Sequence, residues 1–232
     1  LWRKKEVAQI IYEREYRVAQ PPKMPTLQAT AGDGKVILTW DDMADKFTRE
    51  PFLRNINDFE GYKLFKATDK KFSDAEQITD GYGIPMLKKP VFQCDKINHK
   101  SGFADYGDID GVLYYLGEDT GIQHYFVDEN VVNGKTYYYA IVAYDYGIED
   151  IDVAPSENNV VLELDEAEEV KAMGKNVAVV TPRQTASGYV PPQIEVEEQS
   201  WPPSLGEVIP KILMPELLKP NHTYKLEFTA DT

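Results

Sequence analysis

Residues 133 to 146 read NGKTYYYAIVAYDY. Asn133-Gly134 supplies the positive backbone dihedrals of a tight turn, and the aromatic and β-branched residues after it favour a pleated, half-buried surface. Downstream, APSENNVVLEL (154 to 164) continues the pattern, so the region predicts a strand, a loop and a final strand of a β-sandwich. Tyr138, Ala140, Val142 and Tyr144 fall on one face of the first strand, and Tyr137, Tyr139, Ile141 and Ala143 on the other. Both faces are largely apolar. That predicts a central strand covered on its outer side too, because a face open to water is normally more polar.

Working upstream, Val36, Leu38 and Trp40 alternate with Lys35, Ile37 and Thr39 after the Gly32-Asp33-Gly34 turn, which makes Trp40 an inward core anchor. FEGYKLFK (59 to 66) gives the next strand, with Tyr62 and Leu64 on one face and Lys63 and Phe65 on the other. The charged connection between them, residues 41 to 58, is a long loop with room for a helical turn. Residues 68 to 124 are the least regular part, where seven glycines and prolines, from Gly81 to Gly111, separate short apolar clusters. They read as an insertion ordered by its own aromatics, after which Tyr125 to Val127 rejoins the sandwich.

Toward the termini, Val7, Ile10, Ile11 and Tyr16 recur at helical spacing with charges between them. Residues 1 to 20 are therefore expected to form an amphipathic helix, stopped by Pro21, Pro22 and Pro25. Its Arg3, Lys4, Lys5, Arg14 and Arg17 read as a solvated face. The run Asp165, Glu166, Glu168 and Glu169 reads as part of an acidic linker over 165 to 175. Residues 176 to 232 are expected to form a second, incomplete β unit with strands at 177 to 180, 208 to 213 and 224 to 228, separated by Pro191-Pro192 and Pro202-Pro203.

The 232 residues, 42% of them apolar, suffice for one large or two modest folded domains without a metal or disulfide staple. Fifteen tyrosines and frequent Pro and Gly argue for mainly β structure. A net charge of -14 repels phosphate backbones and argues against nucleic-acid binding. No stretch is long and apolar enough to predict membrane insertion. Cys94 is alone, so it forms no internal disulfide and leaves the redox compartment unread. A start at Leu1, without a signal pattern, reads as a piece of a longer chain.

In order and spacing, PTLQATAGDGKVILTWD, FEGYKLFKATD, NGKTYYYAIVAYD and APSENNVVLEL resemble the fibronectin type III domain over residues 24 to 164. The resemblance implies an immunoglobulin-like β-sandwich in which Trp40 is the inward tryptophan of the second strand, Tyr138 the tyrosine corner, and Val132 the apolar residue six before it. The long insertion departs from the ordinary module of about a hundred residues. The whole arrangement, including NVAVVTPRQTASG at 176 to 188, also resembles modules of very large secreted proteins of Bacteroidetes-like bacteria. That likeness implies an extracellular or cell-surface location.

Candidate chemistry is sparse. GDIDG at 107 to 111 places Asp108 and Asp110 near Asp105, Glu118 and Asp119, an oxygen-rich loop of the kind calcium favours. It lacks the first aspartate and distal glutamate of a complete calcium loop, so a solvated acidic loop competes with a calcium site at Asp105, Asp108 and Asp110. His99, His124 and His222 have no zinc or triad spacing. Tyr82, Tyr106, Tyr114, Tyr115 and Tyr125 are candidates for a carbohydrate-stacking surface, or for the insertion's own core. The expectation is a non-enzymatic structural or adhesion segment, without a required cofactor, that partners neighbouring modules or protein subunits. The alternative is a carbohydrate-binding accessory module of a secreted hydrolase.

Overall fold

A computed structural model describes residues 20–50, 54–75, 77–79, 85–104, 113–149, 153–195, 210–219 and 221–225. The expected N-terminal helix, and Tyr82, Asp105, Tyr106, Asp108 and Asp110, lie outside them. The chain divides into two units, residues 1–184 and 185–232. Within the second unit, the described parts of the expected strands, 210 to 213 and 224 to 225, are not in strands. A short 3-10 helix, Pro215–Leu217, is present instead.

The first unit is mainly β. Strands β1 (Leu27–Gly32), β2 (Lys35–Trp40), β3 (Phe59–Ala67), β4 (Gln77–Thr79), β5 (Pro85–Lys88), β6 (Phe92–Asp95), β7 (Gly102–Phe103), β8 (Tyr115–Gly117), β9 (Tyr125–Asp128), β10 (Tyr137–Asp145), β11 (Leu162–Leu164), β12 (Val170–Met173) and β13 (Val177–Val180) follow one another, with a helical turn, α1 (Met43–Phe47), in the charged connection. Two antiparallel sheets dominate, one in the order β1-β2-β9 and one in the order β13-β10-β3-β6.

Period-two patterning accounts for how they meet. Val36, Leu38 and Trp40 from the first sheet pack with Tyr62, Leu64, Tyr137, Tyr139 and Ile141 from the second in one core. Trp40 lies edge-on to Tyr62, ring centroids 5.8 Å apart. The tight turns before β2 and β10 brace each other: Gly34 N donates to Asn133 Oδ1 (2.9 Å) and Asn133 Nδ2 donates to Asp33 Oδ1 (2.7 Å). Gly134 holds a φ of +83°, the conformation that makes glycine suitable in that turn.

Two expectations are corrected. The last strand of the larger sheet is β13, which pairs Val177–Val180 with Tyr137–Ala140, so it is not the final strand expected within 154 to 164, and 177 to 180 belong to the first unit and not to the expected second one. Leu162–Leu164 instead forms a two-stranded ribbon with β12, and the acidic run is the turn between them. Valines at 177 and 180 and Ala178 are buried against β10, whereas β11 and β12 present no fully buried side chain. The open sheet edge therefore goes to the more apolar segment. The second correction concerns the tyrosine corner. Val132 N donates to the hydroxyl of Tyr137 (2.9 Å), and the Val132 side chain is 66% exposed. Tyr138 points the other way, into a second apolar cluster with Phe65, Ala67, Phe72 and Val142.

Candidate functional site

Every residue of β10 is buried, so the outer face of the larger sheet is covered, as its two apolar faces predict. Two different covers meet it. Over Tyr138, the loop after β3 and the β11–β12 turn come together through Lys70–Glu169 and Lys71–Glu168 ion pairs, each 2.6 Å. These bound an open cleft of about 450 Å³ with Thr68 and Tyr138. Over Tyr144, the cover is the β7–β8 hairpin of the insertion, through Ala104, Tyr114 and Leu116.

Tyr114 is the pivot of the second cover. Only 1% exposed, it lies over Lys63, whose ammonium is 3.6 Å from the Tyr114 ring centroid and 4.7 Å from that of Tyr144. The Tyr114 hydroxyl donates to Glu157 Oε2 (2.5 Å), and Lys63 pairs with the same oxygen at 3.4 Å. Burial pushes the Lys63 amine down to about 8, opposed by the pull of Glu157. Burial, reinforced by the Glu157 charge, raises Tyr114 well above its ordinary value. Cation–π contact and the shared carboxylate stabilise a charge that the outer face would otherwise leave unpaired. Gly61 permits this arrangement: a Cβ there would meet the Cys94 carbonyl at 2.4 Å and the Tyr144 hydroxyl at 2.6 Å. That hydroxyl donates to Leu116 O and accepts from Gln93 Nε2 (2.8 Å), fixing β8 to β6, a strand that falls within the expected 68 to 124 insertion but pairs with β3 as part of the larger sheet.

Buried acids surround the same end of the sheet. Asp58, Glu60, Asp95 and Asp145 are all buried. Burial raises Asp58 and Glu60 to about 7, with the charge of Asp145 adding to the effect at Asp58. It raises Asp145 to about 6 against bonds from Ser156 and Gly147. Asp95 instead braces the insertion, accepting from Asp119 N (2.6 Å), Thr120 N (2.9 Å) and Thr120 Oγ1 (2.6 Å).

On the outward side of the hairpin, Phe103 is 64% exposed and its ring packs on Tyr115, centroids 5.1 Å apart and planes tilted by 58°. Tyr115 donates to Glu118 (2.7 Å), and Leu113 is also exposed. The five candidate tyrosines therefore have separate fates. Tyr114 is core, Tyr115 belongs to a half-exposed pair, Tyr125 lies exposed on β9, and Tyr82 and Tyr106 fall outside the described residues.

The acids near the expected calcium loop are occupied as loop braces: Asp119 Oδ1 accepts from Asn98 N (2.9 Å) and His99 N (2.8 Å). Among the described residues, no group of three or more His, Cys, Asp or Glu side chains is arranged to hold a metal ion. No described helix is long and apolar enough to cross a membrane.

From the sequence, Lys63 is read only as a strand-face residue, and Glu60 and Glu157 are given no role. The available signal was a pair of charges, Glu60 and Lys63, inside the otherwise apolar FEGYKLFK strand. No family model, no curated protein and no solved structure matches this chain, so the resemblance to fibronectin type III domains rests on its own residues.

Proposed function

We propose that the chain is a non-enzymatic binding and scaffolding segment of fibronectin type III-like form, extracellular or held at a cell surface, whose insertion presents an aromatic surface to a neighbouring protein module or subunit. The observation that carries this reading is the two-sided hairpin. Tyr114 turns inward under Glu157 to lock it, while Phe103 and Tyr115 turn outward as a pair. Exposed aromatics on a rigid support are the usual anchors of protein contacts. Seven strands in a three-stranded and a four-stranded sheet, with a tyrosine-corner bond, support the fibronectin-like reading. The raised carboxyl groups lie buried inside the fold rather than around an open cleft, which favours binding over catalysis.

The polysaccharide alternative calls for aromatic rings lying in one plane, and the 58° tilt of the described pair weighs against it. Sedimentation of the chain over a wide concentration range, with and without soluble polysaccharides, tests the proposal using a second copy as the nearest protein partner. The reading predicts self-association that Phe103→Ser with Tyr115→Ser abolishes. Strictly monomeric behaviour would contradict it, and polysaccharide retention lost in that double variant would favour the accessory-module alternative.

A further inference from the structure

β9 is the outermost strand of the smaller sheet, and its neighbours fix which way its main chain turns. Asp41 N donates to Thr26 O (3.4 Å), so the odd-numbered residues of β2 bond toward β1 and the even-numbered ones toward β9. Trp40 N accordingly donates to His124 O (3.1 Å). With the pairings of Leu38 to Phe126 and Val36 to Asp128, residues 124, 126 and 128 spend their main-chain groups on β2. Tyr125 and Val127 turn their N–H and C=O groups off the edge of the sheet, where no described residue bonds them.

The other edges of the two main sheets are engaged. Leu27 N donates to Lys175 O (2.8 Å) and Arg183 N to Gly32 O (3.2 Å), which ties β1 to the chain beside β13. On β6, Asp95 N donates to Thr120 Oγ1 (3.1 Å). The β9 edge is held in shape from within. Phe126 stacks on Phe92, centroids 4.9 Å apart, and Asp128 accepts from the Lys66 ammonium and the Tyr139 hydroxyl, each at 2.7 Å. Its sequence, Tyr-Phe-Val-Asp, carries no lysine, proline or bulge of the kind that blunts an exposed edge.

We propose that this edge is a pairing site for β9 of a second copy, the two strands running antiparallel about a two-fold axis at Phe126. Tyr125 of each copy then lies opposite Val127 of the other, and every main-chain group left over on one edge meets its complement on the other. On the outer face the register sets an aromatic against a β-branched side chain, and Gln123 against Glu129, with no like charges opposed. Self-complementarity is what commits the edge to its own copy. Centring the pair on Tyr125 would call on Gln123 O, which already accepts from Cys94 Sγ (3.6 Å). Centring it on Val127 would draw on Glu129, beyond the end of the strand.

So short an edge does not hold two chains together by itself. The pairing therefore rests on the aromatic surface proposed above, which brings copies to the local concentration at which a weak edge closes. Amide hydrogen exchange of the whole chain at rising concentration separates the two. The amides of Phe126 and Asp128 should be slow at every concentration. Those of Tyr125 and Val127 should exchange freely in the monomer and slow by about tenfold or more as the chain associates. Val127→Pro removes one outward N–H and no bond to β2, so it should melt near the parent chain and associate at least about tenfold more weakly. Should that variant fail to fold, exchange in the parent chain decides. Association that needs Phe103 and Tyr115 but leaves the Tyr125 and Val127 amides free, or that a folded Val127→Pro chain retains in full, would overturn the edge pairing and leave the surface standing. Slowed Tyr125 and Val127 amides in chains carrying Phe103→Ser with Tyr115→Ser would keep the edge and remove the surface. A chain that stays monomeric throughout would overturn both.

Discussion

The two ends of one sheet face are closed in opposite ways. At the Tyr138 end, lysines 70 and 71 meet glutamates 168 and 169 in solvent, around an open cleft. At the Tyr144 end, Lys63, Tyr114, Glu157 and four buried acids sit beneath the insertion. Water screens the first set, whereas the second has lost most of its hydration and depends on geometry and protonation. The difference teaches that covering an apolar strand does not by itself decide how firmly the cover is held. The dielectric around the polar groups decides whether salt or pH loosens it.

Tyr114→Ala should break the contrast most strongly. It empties a buried aromatic site, bares Lys63 and frees the hairpin, for a loss of about 3 to 5 kcal/mol in denaturant unfolding. Tyr138→Ala, at the ion-paired end, should cost about 1 to 4 kcal/mol. A Tyr114 variant no less stable than the Tyr138 variant would undo the ranking.

The pH dependence comes next. Asp58, Glu60 and Asp145 are raised in the folded chain to about 7, 7 and 6, so between pH 4 and 7 the folded state binds protons that the unfolded state has released. Their contribution to stability is therefore complete below about pH 4 and declines as pH rises through 6 and 7, by at most about 1.4 kcal/mol per pH unit for each group. Asp128, whose carboxylate is held below its ordinary value by Lys66 and Tyr139 against the opposing effect of burial, acts in the opposite sense, losing its contribution as the solution becomes strongly acid. Unfolding midpoints measured from pH 4 to 9 should fall toward the alkaline side. A rise across pH 5 to 7 would contradict the buried-acid account.

The smallest effect belongs to Lys70→Ala with Lys71→Ala. Because both ion pairs are solvent-exposed, the double variant should melt close to the parent chain, and the small difference should vanish in half-molar salt. A large, salt-resistant loss would show that this end is not the weaker cover.

Much of this fold is legible in alternation. The faces of 137 to 144, the inward Trp40, the helical turn after β2 and the return at Tyr125 all follow from period-two patterning and turn chemistry. Two slips have a common origin. In the triplet Tyr137-Tyr138-Tyr139, aromatic character repeats at every position, so periodicity does not say which hydroxyl reaches back to Val132. Likewise NVVLEL and NVAVV both read as strands, and the choice between them depends on the distant edge of β10, which only the assembled sheet supplies. The candidate site was less legible still. A buried Glu60 looks like any strand-surface acid until Asn98 and Asp95, far along the chain, are brought beside it.

Native-state hydrogen exchange along β10, Tyr138 to Asp145, followed against pH and against salt, tests the two-cover account most directly. The account predicts that amides near Tyr144 lose protection as pH rises through 7, with little response to salt. Those near Tyr138 should respond weakly to pH and lose protection as salt is added. Uniform opening of the whole strand, with the same dependence on pH and salt at both ends, would contradict it.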